Sequence, residues 1–291
     1  MRKILISLLS LLLLCGAFLL FVNQQSKSRL GERYKLAAQK LRPTTAKSTA
    51  LQIRGKHLVQ VVLGCAKCHG QDMGGKVFLK SLPVMQLAGP NLTSGKGSVV
   101  KEYKETDWVR ALRHGIGQSS KGLLGMPLYS ALSDEDLRAV ILYLKSLPPV
   151  DRQESTLKLG LLGRILVTFG TIAPKMLKAN HTAIARQAPV SIKPATNVRY
   201  GRYLAEIGGC LDCHGQDRQG KTVAPGLPPA TDITALRLAN WTHKDFVKSM
   251  TKGKRPNGTT LHPLMPWKLY KFMTALELKA LWLFLKSPQK K

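Results

Sequence analysis

The chain of 291 residues is 44% hydrophobic and carries five cysteines, enough apolar material for two ordinary domains and too little cysteine for a disulfide framework. Lys and Arg outnumber Asp and Glu 45 to 16, and the formal charge of +29 draws acidic partners over long range at low salt. These basic residues run from Arg2 to Lys291 without zinc-finger spacing or an RNP-like aromatic stretch, so they point to an acidic protein face or an anionic bilayer and away from nucleic acid.

The first predicted element is a short basic start followed by an unbroken apolar stretch, Ile4 to Val22, long enough to span a bilayer. No A-x-A-like small-residue site follows it, and Leu14 before Cys15 does not suit a lipoprotein signal. Residues 1–25 are therefore expected to remain as an uncleaved anchor, with a cleaved signal as the second reading. Lys27, Arg29, Arg33 and Lys35 beyond the stretch blur the charge asymmetry that would orient it.

From Leu51 the chain repeats itself. "RGKHLVQVVLGCAKCHG" answers "YGRYLAEIGGCLDCHG", "GPNLT" loosely answers "PATDIT", and "TDWVRALRHG" answers "HKDFVKSMTKG". Near each end "GMPLYSALSDEDLRAVILYLKSL" answers "LMPWKLYKFMTALELKALWLFLKS", so residues 51–148 and 198–288 are two copies of one domain. Each copy is expected to be mostly helical. Leu58 to Leu63 and Leu204 to Ile207 have helical apolar spacing before the cysteine pairs. Ser133 caps a helix whose apolar side is Leu137, Val140, Ile141 and Leu144, and its equivalent runs from about Thr274 to Leu285. The Gly and Pro clusters "LAGPNLTSGKG" and "VAPGLPPATD" predict loops in place of strands.

Residues 149–197 belong to neither copy. Pro149, Pro174, Pro189 and Pro194 punctuate this segment, and "LKLGLLGRILVTFGTIAPKML" is apolar but broken by Arg164 and glycines, a poor membrane span. It is expected to be a linker packed between the domains. The alternative is an interfacial segment lying on lipid.

The chemistry lies in the motif written twice. In C-x-x-C-H two thiols fall on one side of a turn, able to bond the two vinyl-derived carbons of a haem, with the next histidine placed to ligate the iron. Cys65, Cys68 and His69, then Cys210, Cys213 and His214, satisfy this pattern and predict two covalent c-type haems. A zinc site would need further ligands at paired spacing, and a thioredoxin-like dithiol has no use for the histidine. Met126 and Met265 are the candidates for the sixth iron position: each precedes a proline and the last helix of its copy, and a thioether suits iron in an apolar crevice. His262 is the rival to Met265. His57 and His114 align with Tyr203 and Lys252, and Met73, Met85, Met250 and Met273 have no repeat partner, so all six are expected to be packing or surface residues.

On these motifs both copies resemble class I cytochrome c domains, over Leu51 to Leu147 and Val198 to Ser287, and the whole resembles a membrane-anchored di-haem cytochrome c. The resemblance implies an all-α fold of two tandem helical domains after a transmembrane anchor. It implies close helix approach at Gly55 and Gly201 and matched aromatic packing at Tyr143 and Trp282. Haem attachment outside the cytoplasm would put both domains on the periplasmic side of a bacterial inner membrane. With His and Met on each iron the expected role is one-electron transfer between a dehydrogenase or respiratory donor and a terminal acceptor. The partners would be acidic redox proteins, and the chain a carrier, not an enzyme. A di-haem peroxidase, with one iron left open, is the alternative. "PATDIT" lacks the full "GPNL" form, which leaves the loop around the second haem open. Cytochrome subunits of membrane sugar and alcohol dehydrogenases are similar too, but usually carry a third haem domain, which weighs against that assignment.

Overall fold

The computed structural model describes residues 2–37, 39–81, 83–154, 156–172, 188–223 and 227–288. Pro174 with the "APKML" end of the apolar segment, and the "APG" of "VAPGLPPATD", lie outside the described residues. The chain opens with α1 (Arg2–Leu30), the one helix among the described residues long and apolar enough to cross a membrane, and none of its most apolar window is buried.

The first copy follows as α2 (Ser48–His57), a π turn (Leu58–Val62), α3 (Ala66–His69), β1 (Lys76–Ser81), β2 (Met85–Gly89), α4 (Glu105–His114) and α5 (Asp134–Lys145). After β3 (Leu157–Leu159) and α6 (Leu161–Thr168), the second copy supplies α7 (Val198–Ile207), α8 (Cys210–His214), α9 (His243–Lys252), α10 (Trp267–Tyr270) and α11 (Ala275–Lys286). Ser133, Asn197, Thr242 and Thr274 cap their helices through the side chain, as short polar residues do at an N-cap.

Each copy is built on one helix crossing, α2 on α5 and α7 on α11. A Cβ on Gly55 would lie 2.0 Å from the Ala139 carbonyl oxygen, and one on Gly201 2.0 Å from that of Ala280, so the backbones touch where only glycine fits. Behind the crossings, Leu58, Val62, Leu137 and Val140 of one copy and Leu204, Ile207, Leu278 and Leu281 of the other are buried in one apolar cluster. Gly201→Ala is expected to force the helices apart at a cost of about 1–3 kcal/mol, read as an earlier thermal melt of the helical circular dichroism. The glycines also fix the match between copies: Gly55 meets the Cβ of Tyr143, and Gly201 that of Phe284. Phe284, not Trp282, is therefore the partner of Tyr143, and Trp282 stacks on Phe246 at 5.6 Å.

One difference in length is absorbed locally. Seven residues separate His57 from Cys65, whereas six separate Tyr203 from Cys210. The extra residue is housed in the π turn Leu58–Val62, the usual form of a single insertion in a helix.

The fold is not all helical. β1, β2 and β3 form a three-stranded antiparallel sheet in that order, with β2 central and mostly buried. "VFLK" and "MQLAG" flank the turn at Pro83, and the apolar alternation prevails over the Gly and Pro residues that predicted loop. β3 comes from the segment expected to lie between the domains. Much of that segment instead lies on the first copy: Asn91 Nδ2 donates to the Val150 carbonyl (2.6 Å), and the Asp134 and Glu135 amides donate to the Pro189 and Val190 carbonyls (both 3.0 Å).

The copies meet through matched residues, as the halves of a two-fold dimer do. His57 and Tyr203 occupy equivalent places, and each reaches the third residue of the other copy's last helix. His57 Nε2 lies 2.8 Å from Glu277 Oε2, and the Tyr203 hydroxyl donates to Asp136 Oδ2 at 2.7 Å. Arg54 bridges both acids, at 2.9 Å from Asp136 and 3.3 Å from Glu277. Burial alone would raise the Glu277 carboxyl, but the His57 contact, the Thr274 amide and Arg54 together hold it below the usual range. A carboxylate depressed in the fold contributes stability above its unfolded pKa, about 4.3, and loses it as pH falls through the folded value. Glu277→Gln keeps one oxygen for the Thr274 amide and removes the charge together with one of the acceptors that Arg54 and His57 use. It is expected to cost about 1–3 kcal/mol at neutral pH and to flatten the loss of stability below about pH 4, checked by melts across the acid range.

Candidate haem attachment sites

Each C-x-x-C-H motif folds as one short helical turn. In the first, the His69 amide donates to the Cys65 carbonyl at 2.9 Å, and Gly70 ends the turn at φ 80°. In the second, Gly215 ends α8 at φ 82°. Both glycines adopt a conformation that residues with a Cβ rarely take. Cys65 and Cys210 are half-buried at the rim of the apolar core, Cys68 is half-exposed and Cys213 exposed.

Each histidine is oriented by a loop from its own copy. His69 Nδ1 lies 2.8 Å from the Pro90 carbonyl oxygen, and His214 Nδ1 lies 2.7 Å from that of Thr231. A carbonyl only accepts, so Nδ1 carries the proton and Nε2 keeps its lone pair for a metal. Burial, opposed by these bonds, lowers both imidazole pKa values and keeps the rings neutral.

The second loop reproduces the first despite its different letters. The Leu92 amide donates to the Met73 carbonyl and the Ile233 amide to the Arg218 carbonyl, both at 2.8 Å. Asn91 Oδ1 and Asp232 Oδ1 accept from the Thr93 and Thr234 amides at 2.9 and 2.7 Å. "PATDIT" thus supplies the histidine acceptor that "GPNLT" supplies.

Burial pushes the Cys65 and Cys210 thiols up to about 12, so both are neutral near pH 7 and unlike the low-pKa thiolates of dithiol redox catalysts. Among the described residues no three His, Cys, Asp or Glu side chains gather as a metal site would require, so the ligands of a tetrahedral zinc site are not assembled at either motif. Two cysteines on one turn, the first a neutral thiol, followed by a neutral imidazole with Nε2 uncommitted, fit covalent haem.

Met126 and Met265 lie half-buried against the core, in loops of the same course. The Leu123 amide donates to the Gly115 carbonyl at 2.6 Å and the Leu261 amide to that of Gly253 at 2.8 Å, which sets the start of each loop. His262, the rival ligand, is exposed. His114 is buried at the end of α4, while Met73, Met85, Met250 and Met273 are buried packing residues.

Two residues of consequence escaped the sequence reading. Tyr129 and Tyr270 are buried, and their hydroxyls donate to the Leu63 and Gly208 carbonyls at 3.0 and 2.6 Å, each two residues before the first cysteine. Each stands four residues before a helix cap, Ser133 or Thr274, and that shared spacing was the available signal. The two motifs also face each other. Lys67, between the cysteines of the first, has Nζ 5.8 Å from the Tyr270 ring centre, and burial lowers its pKa.

Residues 50–144 match the family described as cytochrome C oxidase, cbb3-type, subunit III. The first copy is a cytochrome c domain. The chain is also similar to the gluconate 2-dehydrogenase cytochrome c subunit of Pantoea cypripedii, 34% identical over 98 residues, 30% of this chain and 22% of the relative. The fructose dehydrogenase cytochrome subunit of Gluconobacter japonicus is 24% identical over 257 residues, 78% of this chain and 50% of the relative, a span long enough to reach into both copies. The alcohol dehydrogenase (quinone) cytochrome c subunit of Gluconacetobacter polyoxogenes is 27% identical over 135 residues, 43% of this chain and 28% of the relative. The chain spans half or less of the length of these relatives. All three relatives are named as cytochrome subunits of dehydrogenases.

Proposed function

We propose that the chain is a membrane-anchored di-haem cytochrome that passes single electrons from a dehydrogenase or another respiratory donor to a terminal acceptor, with both copies on the periplasmic side of a bacterial inner membrane. The carrying observation is the pair of histidines, each with Nδ1 committed to a loop carbonyl, a neutral thiol one turn before it and a second cysteine directly beside it. In this reading Cys65, Cys68, Cys210 and Cys213 hold two haems by thioether bonds. His69 and His214 give each iron one axial ligand, and Met126 and Met265 give the other.

The haems supply a one-electron couple. The protein keeps each imidazole neutral and aimed, and packs Tyr129 and Tyr270 beside the attachment turns. It also sets the two motifs against one another at Lys67 and Tyr270, which favours exchange between centres within one chain. The charge of +29 suits an acidic docking face, and the relatives' names favour a dehydrogenase as donor. The chain acts as the carrier, not the catalytic subunit.

Protein purified from membranes is expected to carry two covalent haems per polypeptide by mass, each taking one electron in a reductive titration. Its reduction by an acidic redox protein should slow as salt rises. A colourless chain or a single haem overturns the proposal. A high-spin centre that turns over peroxide overturns it in favour of the peroxidase.

A further inference from the structure

α6 is tied to the first cytochrome domain and to the anchor at once. A Cβ on Gly160 would lie 1.8 Å from the Pro83 carbonyl oxygen and one on Gly163 2.0 Å from that of Val84, so the helix start presses on the turn between β1 and β2. At its other end the Thr168 hydroxyl donates to the Val22 carbonyl at 3.1 Å, and Arg164 Nη1 donates to Asn23 Oδ1 at 2.9 Å. Val22 and Ser26 are fully buried on α1 as a result.

Among the described residues, the remaining side of α6 is exposed. Leu161 is 53% exposed, Leu162 43% and Phe169, just past the helix, 64%. On α1, Phe18, Leu19, Leu20 and Phe21 are exposed as well, in the turn before the Val22 and Asn23 contacts with α6. Basic groups accompany this patch: Lys27 and Arg29 in the last turn of α1, with Arg29 beside Gly170, and Lys158 exposed on β3. Glu32 is the acid that follows α1.

The position along the anchor decides what covers such a surface. From Ile4 to Val22 a helix rises about 28 Å, close to the roughly 30 Å of a hydrocarbon core. Val22 and Asn23 then stand where acyl chains give way to headgroups, and α6 packs at that level. Apolar side chains there enter the acyl boundary while Lys and Arg reach the phosphates.

We infer that α6 and Phe169 form a foot in the lipid–water interface, a second membrane contact that braces the first cytochrome domain on the bilayer. The inference rests on α1 being the anchor, and the test separates the two. The full chain is placed in phosphatidylcholine–phosphatidylglycerol vesicles containing a phospholipid with a photoactivated diazirine on its acyl chain, and the adducts are mapped by peptide mass. Adducts are expected on α1 and on residues 161–169, and the double substitution Leu161→Glu with Phe169→Glu should abolish the second set and leave the first. Adducts on α1 alone overturn the foot. An absence of adducts on α1 overturns the anchor, and with it the foot.

Discussion

His214→Ala is expected to leave the purified chain with one covalent haem and a second copy that does not hold its fold, while the first copy keeps both. The ring does two jobs at one place: its Nδ1 holds the Thr231 carbonyl at 2.7 Å, and its Nε2 is the donor left for iron. Removing it detaches the loop around Thr231 from the attachment turn, and where ligation and folding are coupled, loss of the ligand is loss of fold. His69→Ala is the mirror experiment on the Pro90 loop. The haem content is read by intact mass and by haem staining after denaturation. Two haems on either variant would remove these histidines from the attachment chemistry.

Met126→Ala and Met265→Ala act more narrowly. Each is expected to abolish one of two thioether-to-iron charge-transfer bands in the oxidised protein and leave the other unchanged. The altered centre should bind carbon monoxide when reduced and should fall in reduction potential, since a thioether ligand raises it. Helix content should hold, because both methionines lie at the rim of the core, not within it. A variant with both bands intact disproves its methionine as ligand.

What the sequence made legible follows the range of the interactions concerned. The attachment motifs and the cap at Ser133 are set by spacings within one turn or one motif, and the repeat displays the motif twice, whereas the close approach at Gly55 and Gly201, which joins helices far apart in the chain, came only with the family resemblance. The β-hairpin was missed because Gly and Pro near "LAGPNLT" outweighed a short alternation in "VFLK" and "MQLAG". The match of Tyr143 to Trp282 slipped because the second "MP" loop holds two extra residues, Trp267 and Lys268, and the aromatic run after Leu281 offers two rings for one place. The meeting of His57 with Glu277 was beyond reach: they stand 220 positions apart, and each alone looks like an ordinary polar residue on a helix.

The π turn ahead of Cys65 has its own consequence. An α-helix advances about 100° per residue, so one added residue in a regular helix would swing everything after it by more than a quarter of a revolution. The cysteine pair would then leave the side on which Tyr129 meets Leu63. By taking up the surplus within a single widened loop of backbone, the first copy keeps the angular phase of its twin, and a duplicated ancestor could drift in length without losing aim.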